Sequence, residues 1–352
     1  MADLLQSSSI VPSLLLLLHL SIFTVLAVQA KPSPYLSSLF FTDYNKMLET
    51  FKIFVYNRDN KNQSDFTSPV KLLFHESLLK SPFLTTNPDE AHLFYLSFPH
   101  NTTTTRQISR FINNLRTDLP FWNRTLGADH FHLSCNRTGP ESYRNFVELR
   151  KNSVQISCFP TIEAMFIPHK DLSLPPLNPP LLAHHEPELM TRTGKLLGYF
   201  WGKDSESTVM DELRDNPEFL IESEPSDWND YAEKLSSSKF CLFLYNGDVF
   251  GIGTAFRFGC VPLVITDRPM PDLPFSDVLR WSEMAVFVGI GGGVAELKSA
   301  LGRACGDRYE RMRELGMQAS RHFVWNTYPQ PYDAFHMVLY QLWLSRHTIR
   351  YV

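Results

Sequence analysis

A chain of 352 residues with 43 % hydrophobic and 13 % aromatic residues has the apolar mass for a filled core and the length of two ordinary domains. Its 33 Lys and Arg are outnumbered by 37 Asp and Glu, for a formal charge of −4, and no basic run concentrates them. That balance excludes a nucleic-acid footprint and a polybasic handle for anionic membrane surfaces.

Ile10 to Val28 is almost wholly apolar around the Leu14–Leu18 run. Its length suits a membrane-spanning signal anchor or a cleaved signal peptide. Val28-Gln29-Ala30 offers a small-x-small cleavage site near Ala30, and Asp3 before the span with Lys31 after it leaves topology undecided. Both outcomes send the remaining chain into the secretory lumen. Sequons at Asn62, Asn101, Asn123 and Asn136 agree with that compartment. The five cysteines (Cys135, Cys158, Cys241, Cys260, Cys305) lack CxxC spacing, which speaks against zinc. Cys135 and Cys158 are a candidate disulfide across a short loop. Cys241 and Cys260 read as small hydrophobes in buried strands, and the odd total leaves a thiol free or paired with another chain.

Residues 1–30 are thus the signal segment, and residues 31–50, with Pro32, Pro34 and Ser37-Ser38, read as a stem. Phe51–Tyr56 is a first strand, 74–79 a short helix, and Asn87-Pro88-Asp89-Glu90 a cap or turn. Strand Ala91–Phe98 and a helix over Arg106–Asp118 follow, then a loop at 120–124 and strands at Asp129–Leu133, Val154–Cys158 and Ala164–Ile167. Alternating strands and helices make residues 51–171 an α/β domain with a mainly parallel sheet. Pro175, Pro176, Pro179, Pro180 and Pro187 mark residues 172–188 as a linker. Residues 189–352 form a second α/β domain: strand 195–201, helices at 209–213 and 228–236, and then Ser238–Asp267, which reads strand, glycine-punctuated loop, short helix, strand. A strand at Ala285–Val288, a glycine turn, a helix over Val294–Leu301 and closing helices at 309–323 and 334–343 complete it. Two such halves joined by a crossover predict twin Rossmann-like domains facing a cleft. The glycines of the central stretch either bring backbone close to an anion or serve an ordinary packing turn. Neither GxGxxG nor GxxxxGK[ST] occurs there.

Several segments, in order, resemble one family: FHESLLKSPFLTTNPDEAHLFYLSF (74–98), LPFWNRTLGADHFHLSC (119–135), NSVQISC, IPHKDLSLPP, SKFCLFLYNGD (238–248), FGCVPLVITDRPMPDLPFSDVLRW (258–281) and YDAFH. Over roughly residues 50–340 the chain resembles the exostosin-like glycosyltransferases, glycosyltransferase family 47, in their plant branch. The resemblance implies a GT-B fold with acceptor bound mainly by the first domain and a UDP-sugar by the second. It further implies a single-pass type II Golgi membrane protein that transfers sugar, with inversion, to a cell-wall polysaccharide or glycan, in some cases within a hetero-oligomer of glycosyltransferases. No Asp-x-Asp triplet ends a strand, so no metal and no cofactor beyond the UDP-sugar donor is expected.

Inverting transfer needs a base for the acceptor hydroxyl and cations or dipoles for the leaving diphosphate. Asp129 and His130, in GADH, are the candidates for base and partner, against the plainer reading of a capping Asp and a core-edge His. Lys170 and Asp171 are expected to line the cleft, unless they form a solvated turn. On the donor side the amides of Gly247, Gly251 and Gly253 and the helix start at Thr254 would cradle the diphosphate, with Arg257 and Arg268 as nearby cations and Asp248 toward ribose or only in a turn. The family often has Arg at Gly251 and Glu at Thr254. That departure keeps open a catalytically weak or inactive paralogue acting as a glycan-binding or scaffold subunit.

Overall fold

Five parallel strands of one sheet and six of another organise the described chain. The computed structural model describes residues 32–56, 68–98, 105–118, 121–135, 147–161, 165–177, 195–202, 208–223, 227–245, 250–267 and 272–346. The apolar Ile10–Val28 segment, Asn62, Asn101, Asn136, Gly247, Asp248 and Arg268 lie outside those residues. No helix among the described residues is long and apolar enough to cross a membrane.

The first sheet holds β1 (Ile53–Val55), β2 (Leu84–Thr85), β3 (Leu93–Tyr95), β4 (His130–Ser134), β5 (Val154–Ser157) and β6 (Leu172–Ser173) in the order β2-β1-β3-β4-β5-β6. A parallel sheet is covered on both faces, and β3, β4 and β5 are buried at every residue. One face packs Phe94, Leu96 and Phe98 under α3 (Thr105–Asp118), α4 (Phe121–Thr125) and α5 (Val147–Asn152) through Ile108, Ile112, Trp122 and Leu149. The other packs Ile53, Val55, Tyr95, Phe131 and Ile156 against α2 (Pro69–Leu79). Pro69 opens α2 where no amide partner is lost, and the Asn87 side chain accepts from the Asp89 amide at 3.1 Å to cap the expected turn.

Two expectations in this half are corrected. The stretch 120–124 is not all loop, because buried Trp122 anchors α4 against the sheet. Residues 165–167 form no strand. The sheet gains its edge instead at Leu172–Ser173, inside what reads as linker, because Leu172 and Ser173 pair with Ile156 and Ser157.

The second sheet runs β8-β7-β9-β10-β11, with β7 (Leu196–Trp201), β8 (Phe219–Glu222), β9 (Ser238–Leu244), β10 (Val261–Thr266) and β11 (Val286–Gly289). β8 has no counterpart in the sequence reading; it is a short edge strand with one buried residue. The connecting helices are α6 (Thr208–Arg214), α7 (Trp228–Ser237), α8 (Ile252–Arg257), α9 (Gly293–Ala304) and α10 (Asp307–Ala319).

Cys135 and Cys158 are bonded, as expected, just past the carboxyl ends of β4 and β5. Cys241 and Cys260 are not mere small hydrophobes: they form a second disulfide with Cα atoms 5.7 Å apart. β9 pairs Cys241 with Pro262 of β10, which brings Cys260, two residues earlier, alongside. Cys305 is free and exposed. With its ends 19 positions apart in sequence, the Cys241–Cys260 bridge is worth about 3 kcal/mol on the chain-entropy account. A Cys241→Ala/Cys260→Ala double variant is expected to melt several degrees lower than the parent under non-reducing conditions and to match it in excess thiol; equal non-reducing melting temperatures would refute that worth.

Residues 34–50 are not a stem. The Leu36 and Arg280 amides donate to Val278 and Pro34 carbonyls, both at 2.8 Å. Phe40–Thr50 is a helix, α1, whose Phe40, Tyr44 and Met47 are buried. These three recur at helical spacing, so one stripe of α1 faces the core. It packs on the last helix, α11 (Ala334–Ser345): the Phe40 and Tyr340 rings are 5.2 Å apart. α11 in turn does not stay in the second half. Phe335 lies 5.5 Å from Phe74, and His336 5.8 Å from Phe83, so the closing helix completes the first sheet's core. Outgoing and returning crossovers run side by side, with Trp325 Nε1 donating to the Pro175 carbonyl at 3.0 Å.

Candidate active site

In an open parallel sheet, ligands gather beyond the carboxyl ends of the strands, where the strand order reverses. The second sheet reverses between β7 and β9, so its crevice is flanked by Trp201 and Gly202 on one side and Tyr245, Phe250 and Gly251 on the other. The central stretch of the sequence reading therefore leads into this crevice.

Gly251 caps α8 with φ +85°, a left-handed conformation that an L side chain resists. A Cβ there would also lie 3.0 Å from the Tyr231 hydroxyl. Gly253 has a different reason: its Cβ would fall 2.3 Å from Phe323 Cβ, so it is a packing glycine that seats α8 on the following 3-10 turn, Ser320–Phe323. Thr254 is 4 % exposed on the same buried helix, and Arg257 is half-buried. The first-turn amides of Ile252, Gly253 and Thr254 have no carbonyl partner within the helix.

Beside the crevice stands a group that the sequence reading omits. Glu222, ending β8, accepts from Lys234 Nζ at 2.9 and 2.7 Å and from the Tyr199 hydroxyl at 2.6 Å, while Lys234 also reaches Asp230 at 2.7 Å. Burial, then the Glu222 carboxylate, pushes the Tyr199 hydroxyl up. The network ties α7 to β7 and β8. Its one sequence signal is Asp230 four residues before Lys234 on one helix face. Above it, the Trp201 ring meets Tyr231 at 4.8 Å and Phe250 at 5.7 Å, with ring planes inclined at 62° and 64°.

The acceptor-side nominations are corrected by chain direction. Asp129 immediately precedes β4, so it sits at the amino edge of the first sheet, away from the carboxyl ends. The residue is 3 % exposed and both its carboxylate oxygens are engaged: Oδ1 accepts from Thr125 at 2.5 Å and from His130 Nδ1 at 2.7 Å, and Oδ2 from Arg124 at 2.8 Å. Burial works to raise its pKa, but the hydrogen bonds from His130, Thr125 and Arg124 outweigh it and hold the group below the usual carboxylate range. His130 is fully buried between Phe94 and Tyr56, and its Nε2 is 2.9 Å from the Tyr56 hydroxyl. Burial keeps this ring neutral. The pairing assigns Nδ1–H to Asp129 and leaves Nε2 to accept from Tyr56. This is a core polar network whose carboxylate is held by three neighbours and screened from solvent.

Lys170 and Asp171 share that edge, just before β6. Asp171 accepts from the Gln155 amide at 2.9 Å and the Ile167 amide at 2.8 Å, and Lys170 Nζ contacts Asp171 and the Ser153 carbonyl. Burial raises the Asp171 carboxyl, against the pull of Lys170 and the amides. The pair staples β5 to β6 at the amino edge. Asn123 is exposed on α4.

The fold and this geometry can be set beside known proteins. A model of the exostosin GT47 domain matches residues 47–298, a stretch that takes in both sheets. The chain is 29 % identical over 367 residues to an Arabidopsis thaliana protein named "Probable glycosyltransferase At5g03795", covering 91 % of this chain and 66 % of that one. It is 26 % identical to the Arabidopsis protein named "Probable beta-1,4-xylosyltransferase IRX10", over 76 % of this chain and 73 % of that one. Identity is also 26 % to a rice protein named "Probable glucuronosyltransferase Os02g0520750", over 82 % of this chain and 76 % of that one. Because the domain match runs through both parallel sheets and both sides of the crevice, the chain belongs to the exostosin GT47 family of glycosyltransferases.

Proposed function

We propose that the protein transfers a sugar from a UDP-sugar to a cell-wall polysaccharide or glycan, with inversion at the sugar carbon. The observation that carries this reading is the family match across both Rossmann-like sheets, with the strand-order reversal of the second opening beside Gly251 and α8. The diphosphate would lie at the carboxyl edge of the second sheet, where the first-turn amides of α8 offer positive partners. The proton acceptor belongs to the carboxyl edge of the first sheet, not to Asp129. The apolar Ile10–Val28 segment, the exposed sequon Asn123 and the two disulfides support a luminal domain of a single-pass Golgi protein. A glycosidase-induced mobility shift that disappears in Asn123→Gln tests that location.

The decisive experiment titrates the full-length protein with UDP and a panel of UDP-sugars, then follows UDP release with plant glycan acceptors. Micromolar to millimolar UDP binding and acceptor-dependent release are expected, both surviving a divalent-metal chelator. A second reading, a glycan-binding or scaffolding subunit without turnover, is favoured by Thr254, which is buried and offers a single hydroxyl. Absence of nucleotide binding and of UDP release would select it.

A further inference from the structure

We propose that Trp201 and Phe250 form the platform on which the nucleobase of the donor stacks. This inference rests on the UDP-sugar reading and names the side chains that recognise the base.

Trp201 is the last residue of β7, the strand bordering the point where the sheet order reverses. Tyr199 and Trp201 lie on the same face of β7, two residues apart, and that face is covered by Tyr231 of α7. Tyr231 is 6 % exposed and forms a rigid floor, its ring 4.8 Å from Trp201. Phe250, directly before the left-handed Gly251, lies across the opening at 5.7 Å and 64° to Trp201. It is 40 % exposed, although every residue from Ile252 to Phe256 behind it is buried. The fold thus holds two steeply inclined aromatic rings, one half-buried on a fixed floor and one 40 % exposed, at the mouth of the crevice.

That surface suits a flat π-system. A base laid on one ring meets the edge of the other, an arrangement that aromatic quadrupoles favour. Stacking is tolerant of base identity, so the platform supplies affinity while hydrogen bonds supply selectivity. A sugar ring also packs its C–H face on an aromatic ring, so the test varies the flatness of the base alone.

The test compares UDP with 5,6-dihydro-UDP, whose base keeps its polar edge but is no longer flat. Both are titrated into full-length wild-type protein, Trp201→Ala, Trp201→Phe and Phe250→Ala. Wild type is expected to prefer UDP by about tenfold, the equivalent of about 1.4 kcal/mol. Phe250→Ala and Trp201→Ala should close most of that gap, and Trp201→Phe should keep most of it. Because Phe250 is open to solvent, its variant folds even if Trp201→Ala does not. A gap that persists in Phe250→Ala and Trp201→Ala, or a wild type that binds both nucleotides equally, overturns the platform while leaving the donor reading intact. A wild type that binds neither overturns the donor reading itself, and the platform with it.

Discussion

A chain shortened to begin at Phe51 is expected not to fold. Tyr35, Phe40, Tyr44 and Met47 are 5 %, 1 %, 1 % and 0 % exposed. At roughly 1.5–3 kcal/mol for each buried large side chain, the four together contribute about 8 kcal/mol. Whole domains are stable by only about 5–15 kcal/mol. The loss is compounded by what the cut leaves behind. Tyr44 accepts from the Tyr332 amide at 2.9 Å and stacks on the Tyr332 ring at 4.1 Å. The Tyr35 hydroxyl meets His322 Nε2 at 2.9 Å. Each orphaned buried group costs a further ~1–3 kcal/mol. Soluble yield and cooperative thermal unfolding, compared between chains beginning at Ser33 and at Phe51, decide the matter. A Phe51 chain that melts cooperatively at the same temperature would show residues 34–50 to be dispensable.

Asp129→Ala is expected to cost about 1–3 kcal/mol of stability, the usual penalty for leaving buried donors without their acceptor. It should leave Arg124 without its carboxylate and His130 Nδ1–H without an acceptor. Turnover per folded molecule should stay within about twofold, because the group faces the amino edge. A drop of a hundredfold or more at unchanged stability would restore it as the base. The pH dependence carries the same signature. Asp129 is held below its unfolded range, so its contribution is present above the unfolded carboxylate pKa and disappears as pH falls through the folded one. Burial depresses His130, and pushes His132 down to about 3 and His322 down to about 4. The unfolded chain therefore takes up protons from about pH 6.5 downward that the folded chain refuses. Stability should fall from pH 6.5 toward pH 4 in the parent. Below about pH 4 the Asp129 contribution is lost as well, and Asp129→Asn should lack that further fall, as read from urea midpoints.

Legibility followed burial. β9 and β10 announce themselves as apolar runs, and the proline-rich crossover locates the passage between halves. β8 stayed hidden because a four-residue edge strand with three half-exposed positions carries no periodicity. α1 was readable in principle: Phe40, Tyr44 and Met47 fall on one helical stripe, but the prolines and serines before them turn attention to a linker. The acceptor-side nominations went astray for a directional reason. Asp129 was correctly placed at a strand start, and a strand start in a parallel sheet is the edge opposite the ligand. Gly253 carries a steric duty besides, since a glycine required by a neighbouring phenylalanine looks in sequence like a glycine required by a phosphate. The Cys241–Cys260 bond depended on the register between β9 and β10, a long-range quantity that local pattern does not contain.

The return of α11 to the first sheet sets a timetable for the nascent chain. Tyr44 meets Tyr332 across 288 residues of sequence. At a synthesis rate of roughly 5–20 residues per second, that separation amounts to about 15–60 s during which the apolar stripe of α1 has been made and its cover has not. The first half leaves the ribosome with an open core and closes only when the last helix arrives. Its birth is therefore a period of chaperone dependence, and the final residues of the chain are the ones that end it.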